Sequence, residues 1–122
     1  MDLAPSKFAV LVVDDQPNVR ATAVDIFRAF GMTVFDAYNG HDALNLLVAH
    51  PQIALLFADV RMPGMTGDEL AREAQRIRPE LKVVLVSGYV DGAPLPNVPF
   101  LRKPYRASDL AALVRPDGDE QT

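Results

Sequence analysis

The chain has 122 residues, no cysteine and a net charge of −4 with no basic block. A single domain of that length can bury a core without disulfides or a structural metal, and the charge disfavours nucleic acid or an anionic membrane surface as a partner. Its apolar runs, Phe8–Val13 among them, are too short to cross a bilayer, and no small-residue cleavage site follows that run before Asp14; neither a membrane span nor a secretory signal is expected, and the expected placement is cytoplasmic.

The run FAVLVV predicts a first strand over Phe8–Val13. Val19, Ala23, Ile26, Phe27 and Phe30 then recur at helical spacing, and Gly31 stops that helix. A second strand is expected over Met32–Ala37, followed by Asn39-Gly40 and a short helix carrying Ala43, Leu44, Leu46 and Leu47 that closes before Pro51. Ile53–Ala58 reads as the third strand. Gly64 and Gly67 predict a turn into a third helix, which Thr66 or Gly67 begins and which carries Leu70, Ala74 and Ile77. Leu81–Val86 is the fourth strand, Val98–Leu101 a shorter fifth, and Leu110, Leu113 and Val114 mark a last helix stopped by Pro116. The ordered core is expected over about residues 7–115 of one domain spanning 1–122, with frayed ends at 1–6 and 117–122.

Continuous apolar runs suit strands covered on both faces, and strand–helix alternation implies a parallel sheet. In such sheets ligands bind beyond the carboxyl ends of the strands. Asp14 and Asp15 follow the first run, Asp59 the third, Ser87 the fourth and Lys103 the fifth, so all five are expected at one sheet edge. Carboxylates gathered there repel one another unless a cation joins them, which points to a cation and phosphoryl site. Taken singly, each has a plainer reading: a polar turn, a helix cap, a turn hydroxyl, a surface lysine. Four separate turns would have to mimic one site for the plain readings to hold together. His41 and His50 read as solvated helix-end residues, and the chain lacks the GxxxxGK[ST] pattern of a phosphate-cradling loop.

The segments VVDDQP, FADVRMPGMTG, VSGY and FLRKPY, in this order, resemble the receiver domain of two-component response regulators over nearly the whole chain. The resemblance implies a flavodoxin-like, doubly wound α/β fold with a five-stranded parallel sheet of order 2-1-3-4-5. It implies that Asp59 is the phosphoacceptor and that Asp14, Asp15, Asp59 and the backbone carbonyl of Arg61 hold Mg²⁺, with Mn²⁺ able to substitute. Ser87 and Lys103 would contact phosphoryl oxygens, and the Lys103–Pro104 bond is often cis in the family. The donor would be a sensor histidine kinase or a histidine phosphotransfer protein. The domain would be a switch that alters partner binding, with no separate substrate turnover. Asp59 as an oxygen nucleophile, a hard cation and a lysine counter-charge are a chemically sufficient set for phosphoryl transfer.

The resemblance also assigns a switch to Ser87 and Phe100, and tuning of acyl-phosphate lifetime to Arg61 and Tyr89. The alternatives are a plain core aromatic for Phe100 and solvated rim residues for Arg61 and Tyr89. Only fifteen residues separate Ser87 from Lys103, rich in proline and glycine, so the fourth crossover helix is expected to be shortened or absent and the 88–99 link to be the moving element. Two rivals remain. A Mg²⁺-dependent phosphohydrolase usually needs a second acid two residues after the nucleophile, where this chain has Arg61. A receiver-like binding module without phosphorylation usually lacks an acid or the lysine, and both are present.

Overall fold

The computed structural model describes residues 8–88 and 97–114. The elements in chain order are β1 (Ala9–Val13), α1 (Pro17–Ala29), β2 (Thr33–Ala37), α2 (Gly40–Ala49), β3 (Ile53–Asp59), α3 (Gly67–Ile77), β4 (Lys82–Ser87), β5 (Phe100–Arg102) and α4 (Ala107–Leu113). The strands form one five-stranded sheet of order β2-β1-β3-β4-β5, parallel throughout. This is the expected topology.

Side-chain alternation sorts the core into two layers. Leu11, Val13, Leu56, Ala58, Val83 and Leu85 face α2 and α3, packing on Ala43, Leu47, Leu70, Ala71 and Ala74. Val10, Val12, Leu55, Phe57, Val84 and Val86 face α1 and α4, packing on Ala23, Val24, Phe27 and Leu110. A register irregularity between β1 and β3 falls at Ala9/Val10. It puts Ile53 on the α2/α3 face and Leu55 on the other, although they lie two apart; an extra residue in one strand has this effect because side chains alternate with period two.

Local chemistry sets most boundaries as expected. Pro17 opens α1, where a missing N–H costs nothing, and Gly31 ends it with φ of 88°. Asn39 caps α2 by accepting from the Asp42 N–H at 2.7 Å. Gly40 is therefore the first helical residue rather than part of the preceding turn. Thr66 and Glu69 form a reciprocal capping box at the start of α3.

Several expectations shift. Asp59 and Ser87 are the last residues of β3 and β4, not residues beyond them. The fifth strand runs over Phe100–Arg102 rather than Val98–Leu101. Pro99 lacks an N–H and supplies only its carbonyl, to the Leu85 N–H at 3.0 Å, so pairing proper begins at Phe100. His41 is exposed as expected, but His50 is half-buried, its ring 4.2 Å from that of Phe35. The short fourth crossover, the moving 88–99 link, Tyr89 and the expected limits of the ordered core lie wholly or partly outside the described residues. Among the described residues, no helix is long and apolar enough to cross a membrane.

Candidate metal and phosphoryl site

The parallel register brings the ends of β1, β3 and β4 to one edge. Val13 pairs with Ala58, and Asp59 with Val86. Asp14 continues β1 by one bond, its N–H donating to the Ala37 carbonyl at 3.2 Å. Ser87 is 1% exposed, and its carbonyl accepts from the Lys103 N–H at 3.0 Å. That bond fixes where the Lys103 side chain starts, and the Lys103–Pro104 peptide is cis.

From this start Lys103 Nζ reaches Asp14 Oδ2 at 3.3 Å and Asp59 Oδ1 at 3.4 Å. One carboxylate oxygen from each of Asp14, Asp15 and Asp59 lies within 4.8 Å of the others. Asp14 and Asp59 are buried, and Asp15 is half-buried. Three carboxylates against one ammonium leave two negative charges in excess. A hard divalent cation with oxygen ligands fits both that excess and this donor set.

Burial pushes the Asp59 carboxyl above its ordinary range, against the pull of the Lys103 ammonium and with a further push from Asp14. Tyr105 lies below the site, edge-on to Phe57 at 5.5 Å between ring centroids. Its hydroxyl is pushed up to about 12 by burial and by the negative charges of Asp14 and Asp59, so it stays a neutral phenol at any physiological pH.

The segment after Asp59 is pinned at both ends. The Val60 N–H donates to the Val86 carbonyl at 2.9 Å, and the Val60 carbonyl accepts from the Gly67 N–H at 2.9 Å. Arg61 lies exposed within it, on an open depression shared with Val60, Met62, Pro63 and Thr66. Gly64 turns the chain with φ of 78°. Gly67 does something the turn reading missed: a Cβ there would fall 2.1 Å from the Asp59 carbonyl oxygen. Gly67 is thus glycine because the start of α3 rests directly on the main chain of Asp59.

The structure brings Asp14, Asp15, Asp59 and Lys103 into one cluster and sets Ser87 at the same edge. Phe100 is half-buried against the α2/α3 core. A residue missed from sequence is Arg20, whose Nη1 donates to the Asp14 carbonyl at 2.9 Å. Its signal was an arginine one turn into the helix that follows the acid pair.

Comparison with known proteins agrees with this geometry. The family model for the response regulator receiver domain matches residues 10–115. The chain is similar to the sensor kinase CckA of Brucella abortus, 34% identical over 113 residues, covering 87% of this chain but only 12% of that kinase. It is similar to the response regulator receiver protein CpdR of the same organism, 33% identical over 107 residues, covering 83% of this chain and 88% of that protein. Among solved structures, the receiver domain of the hybrid histidine kinase CckA superposes with a TM-score of 0.75 at 36% identity, covering 87% of this chain and 94% of that one. With the sheet order and the acid cluster in agreement, the chain belongs to the response regulator receiver domain family, whose members serve two-component phosphorelay systems.

Proposed function

We propose that this domain accepts a phosphoryl group from a phospho-histidine onto Asp59 and thereby changes which protein it binds. The observation that carries the reading is the buried Asp14–Lys103–Asp59 bridge, with Asp15 beside it. When bound, a divalent cation such as Mg²⁺, or Mn²⁺ in its place, supplies charge neutralisation at the phosphoryl oxygens; Asp14, Asp15, Asp59 and the Arg61 carbonyl would hold it.

An ionised Asp59 oxygen attacks phosphorus. The P–O bond of an acyl phosphate forms as the P–N bond to the donor imidazole breaks, and the imidazole leaves with the electron pair and takes up a proton. Lys103, which already balances Asp59, transfers its charge to the incoming oxygens. The Ser87 hydroxyl donates to one of them, and Phe100 repacks as Ser87 moves. Arg61, exposed beside the site, and Tyr89, two residues after Ser87, set how readily water reaches the acyl phosphate.

A cytoplasmic sensor histidine kinase or histidine phosphotransfer protein would be the donor. The chain would modify itself and turn over no other substrate, since no second acid stands two residues after Asp59 to serve as general acid. Incubation with acetyl phosphate and Mg²⁺, read by intact mass, tests this. The expected result is a gain of one phosphoryl group that Asp59→Asn abolishes. No adduct on the wild-type chain, or steady turnover of many phosphoesters, would overturn the reading.

A further inference from the structure

We infer that Arg20 is a positioning residue for the acid pair, holding the Asp14–Asp15 peptide so that both carboxylates face a divalent cation. This rests on the metal-dependent reading above. The Arg20 side chain is 20% exposed and reaches from α1 to two strand ends. Its Nη1 donates to the Asp14 carbonyl at 2.9 Å. Its Nε donates to Asp36 Oδ2 at 3.0 Å, and its guanidinium carbon lies 6.0 Å from the centre of the Tyr38 ring. A planar fork held by two acceptors and beside one ring has little freedom left.

The other groups of Asp14 show why this matters. Its N–H is held by the Ala37 carbonyl at 3.2 Å. Its Oδ1 accepts from the Gln16 N–H at 2.9 Å, and its Oδ2 faces Lys103. The carbonyl is held by Arg20, and that carbonyl belongs to the peptide plane joining Asp14 to Asp15. Rotation of that plane would turn Asp15 away and strain the Gln16 contact. Partners behind the ligands of a metal site commonly set their orientation, at a cost of about 10–100-fold in affinity when lost.

Charge alone predicts the opposite. Arg20 brings a cation close to a site that must take up another, so a purely electrostatic role would make its removal tighten metal binding. Asp36 offsets that charge and aims the fork. The two roles therefore differ in sign.

The test is calorimetric titration of the full chain with Mg²⁺, for wild type, Arg20→Met, Asp36→Asn and the double variant, with melting curves for each. Positioning predicts about tenfold weaker Mg²⁺ binding for Arg20→Met and a loss of roughly two- to threefold for Asp36→Asn. The double variant should bind Mg²⁺ as Arg20→Met does, without the further loss of roughly two- to threefold that independent effects would add, because both substitutions break one linkage. In the acetyl phosphate reaction, Arg20→Met should need about tenfold more Mg²⁺ for half-maximal rate yet approach the wild-type rate at saturation. Unchanged or tighter Mg²⁺ binding by Arg20→Met overturns the inference, whatever its melting temperature, as does full additivity in the double variant. Should Arg20→Met fail to fold, Asp36→Asn at its half-exposed position decides, and unchanged affinity there overturns it. A wild-type chain that binds no Mg²⁺ fails the site reading itself and takes this inference with it, an outcome distinct from a wild type that binds while the variants match it.

Discussion

Asp59 is held under opposing influences: burial and Asp14 favour its neutral form, and Lys103 favours its charged form. Because its folded pKa is raised above the ordinary 3.8, its contribution to stability is fully present below the unfolded value and is lost as pH rises through the folded one. In metal-free protein, Asp59→Asn should therefore be the more stable form above that window, with the higher melting temperature. Saturating Mg²⁺ should reverse the order, because the wild type gains a ligand that the variant binds poorly; calorimetric melts at several pH values, with chelator and with Mg²⁺, check both signs. Lys103 is the largest influence lowering Asp59, so Lys103→Met should raise the Asp59 pKa further, read from its carboxyl carbon by NMR. An unmoved titration would show that the lysine does not set the charge of Asp59. Asp14, Asp15, Asp59 and Lys103 were legible in the sequence because each is a charged residue interrupting or ending an apolar run. Arg20 and Tyr105 were not, since their roles depend on which strand ends and rings their helix and loop happen to face.

The junction between β3 and α3 carries the most demanding element-level constraint. Thr66 and Glu69 start the helix through their capping box, and Gly67 lets its first turn rest on Asp59. The obstacle to a side chain there is main-chain carbonyl, which cannot swing aside as a long side chain can. Gly67→Ala should thus cost about 1–3 kcal/mol and should also slow phosphorylation, because relief of the clash must move Asp59. A denaturant melt together with the acetyl phosphate rate would show the two effects jointly; a loss of stability with an unaltered rate would mean that α3 moves and Asp59 does not. The sequence narrowed the start of α3 to Thr66 or Gly67, and the structure supplied the capping box that places it. The sequence suggested a turn for Gly67 because glycine signals backbone freedom without telling conformational need from close approach. The fifth strand was misplaced by two residues at its start for a related reason: Val98 is apolar and β-forming, but the proline between it and Phe100 cannot donate to β4.

At the scale of the whole molecule, a parallel sheet covered on both faces carries its chemistry on one edge, where Asp14 and Asp15 follow β1, Asp59 ends β3 and Ser87 ends β4. Mg²⁺ should therefore stabilise the fold as a unit by tying β1 to β3 through three carboxylates. With Mg²⁺ at a hundred times its dissociation constant, the gain should be about 2.7 kcal/mol, measurable as a rise in melting temperature that chelator reverses. Asp14→Asn together with Asp15→Asn should abolish that rise. The family relationship covers residues 10–115, while the chain spans only 12% of the similar kinase CckA, so what is common to them is the receiving module. The sequence alone determined the strand–helix alternation, the approximate helix ends and the acids at strand ends, because burial pattern and glycine or proline punctuation are local and written in residue type. Only the tertiary structure decided that Lys103 bridges Asp14 and Asp59, that Gly67 sits on the Asp59 carbonyl, and that Arg20 holds the peptide between the two acids. The Lys103 contacts join residues far apart in the chain through strand register, and the Gly67 and Arg20 contacts depend on how a helix is laid against a strand end, neither of which periodicity and composition encode.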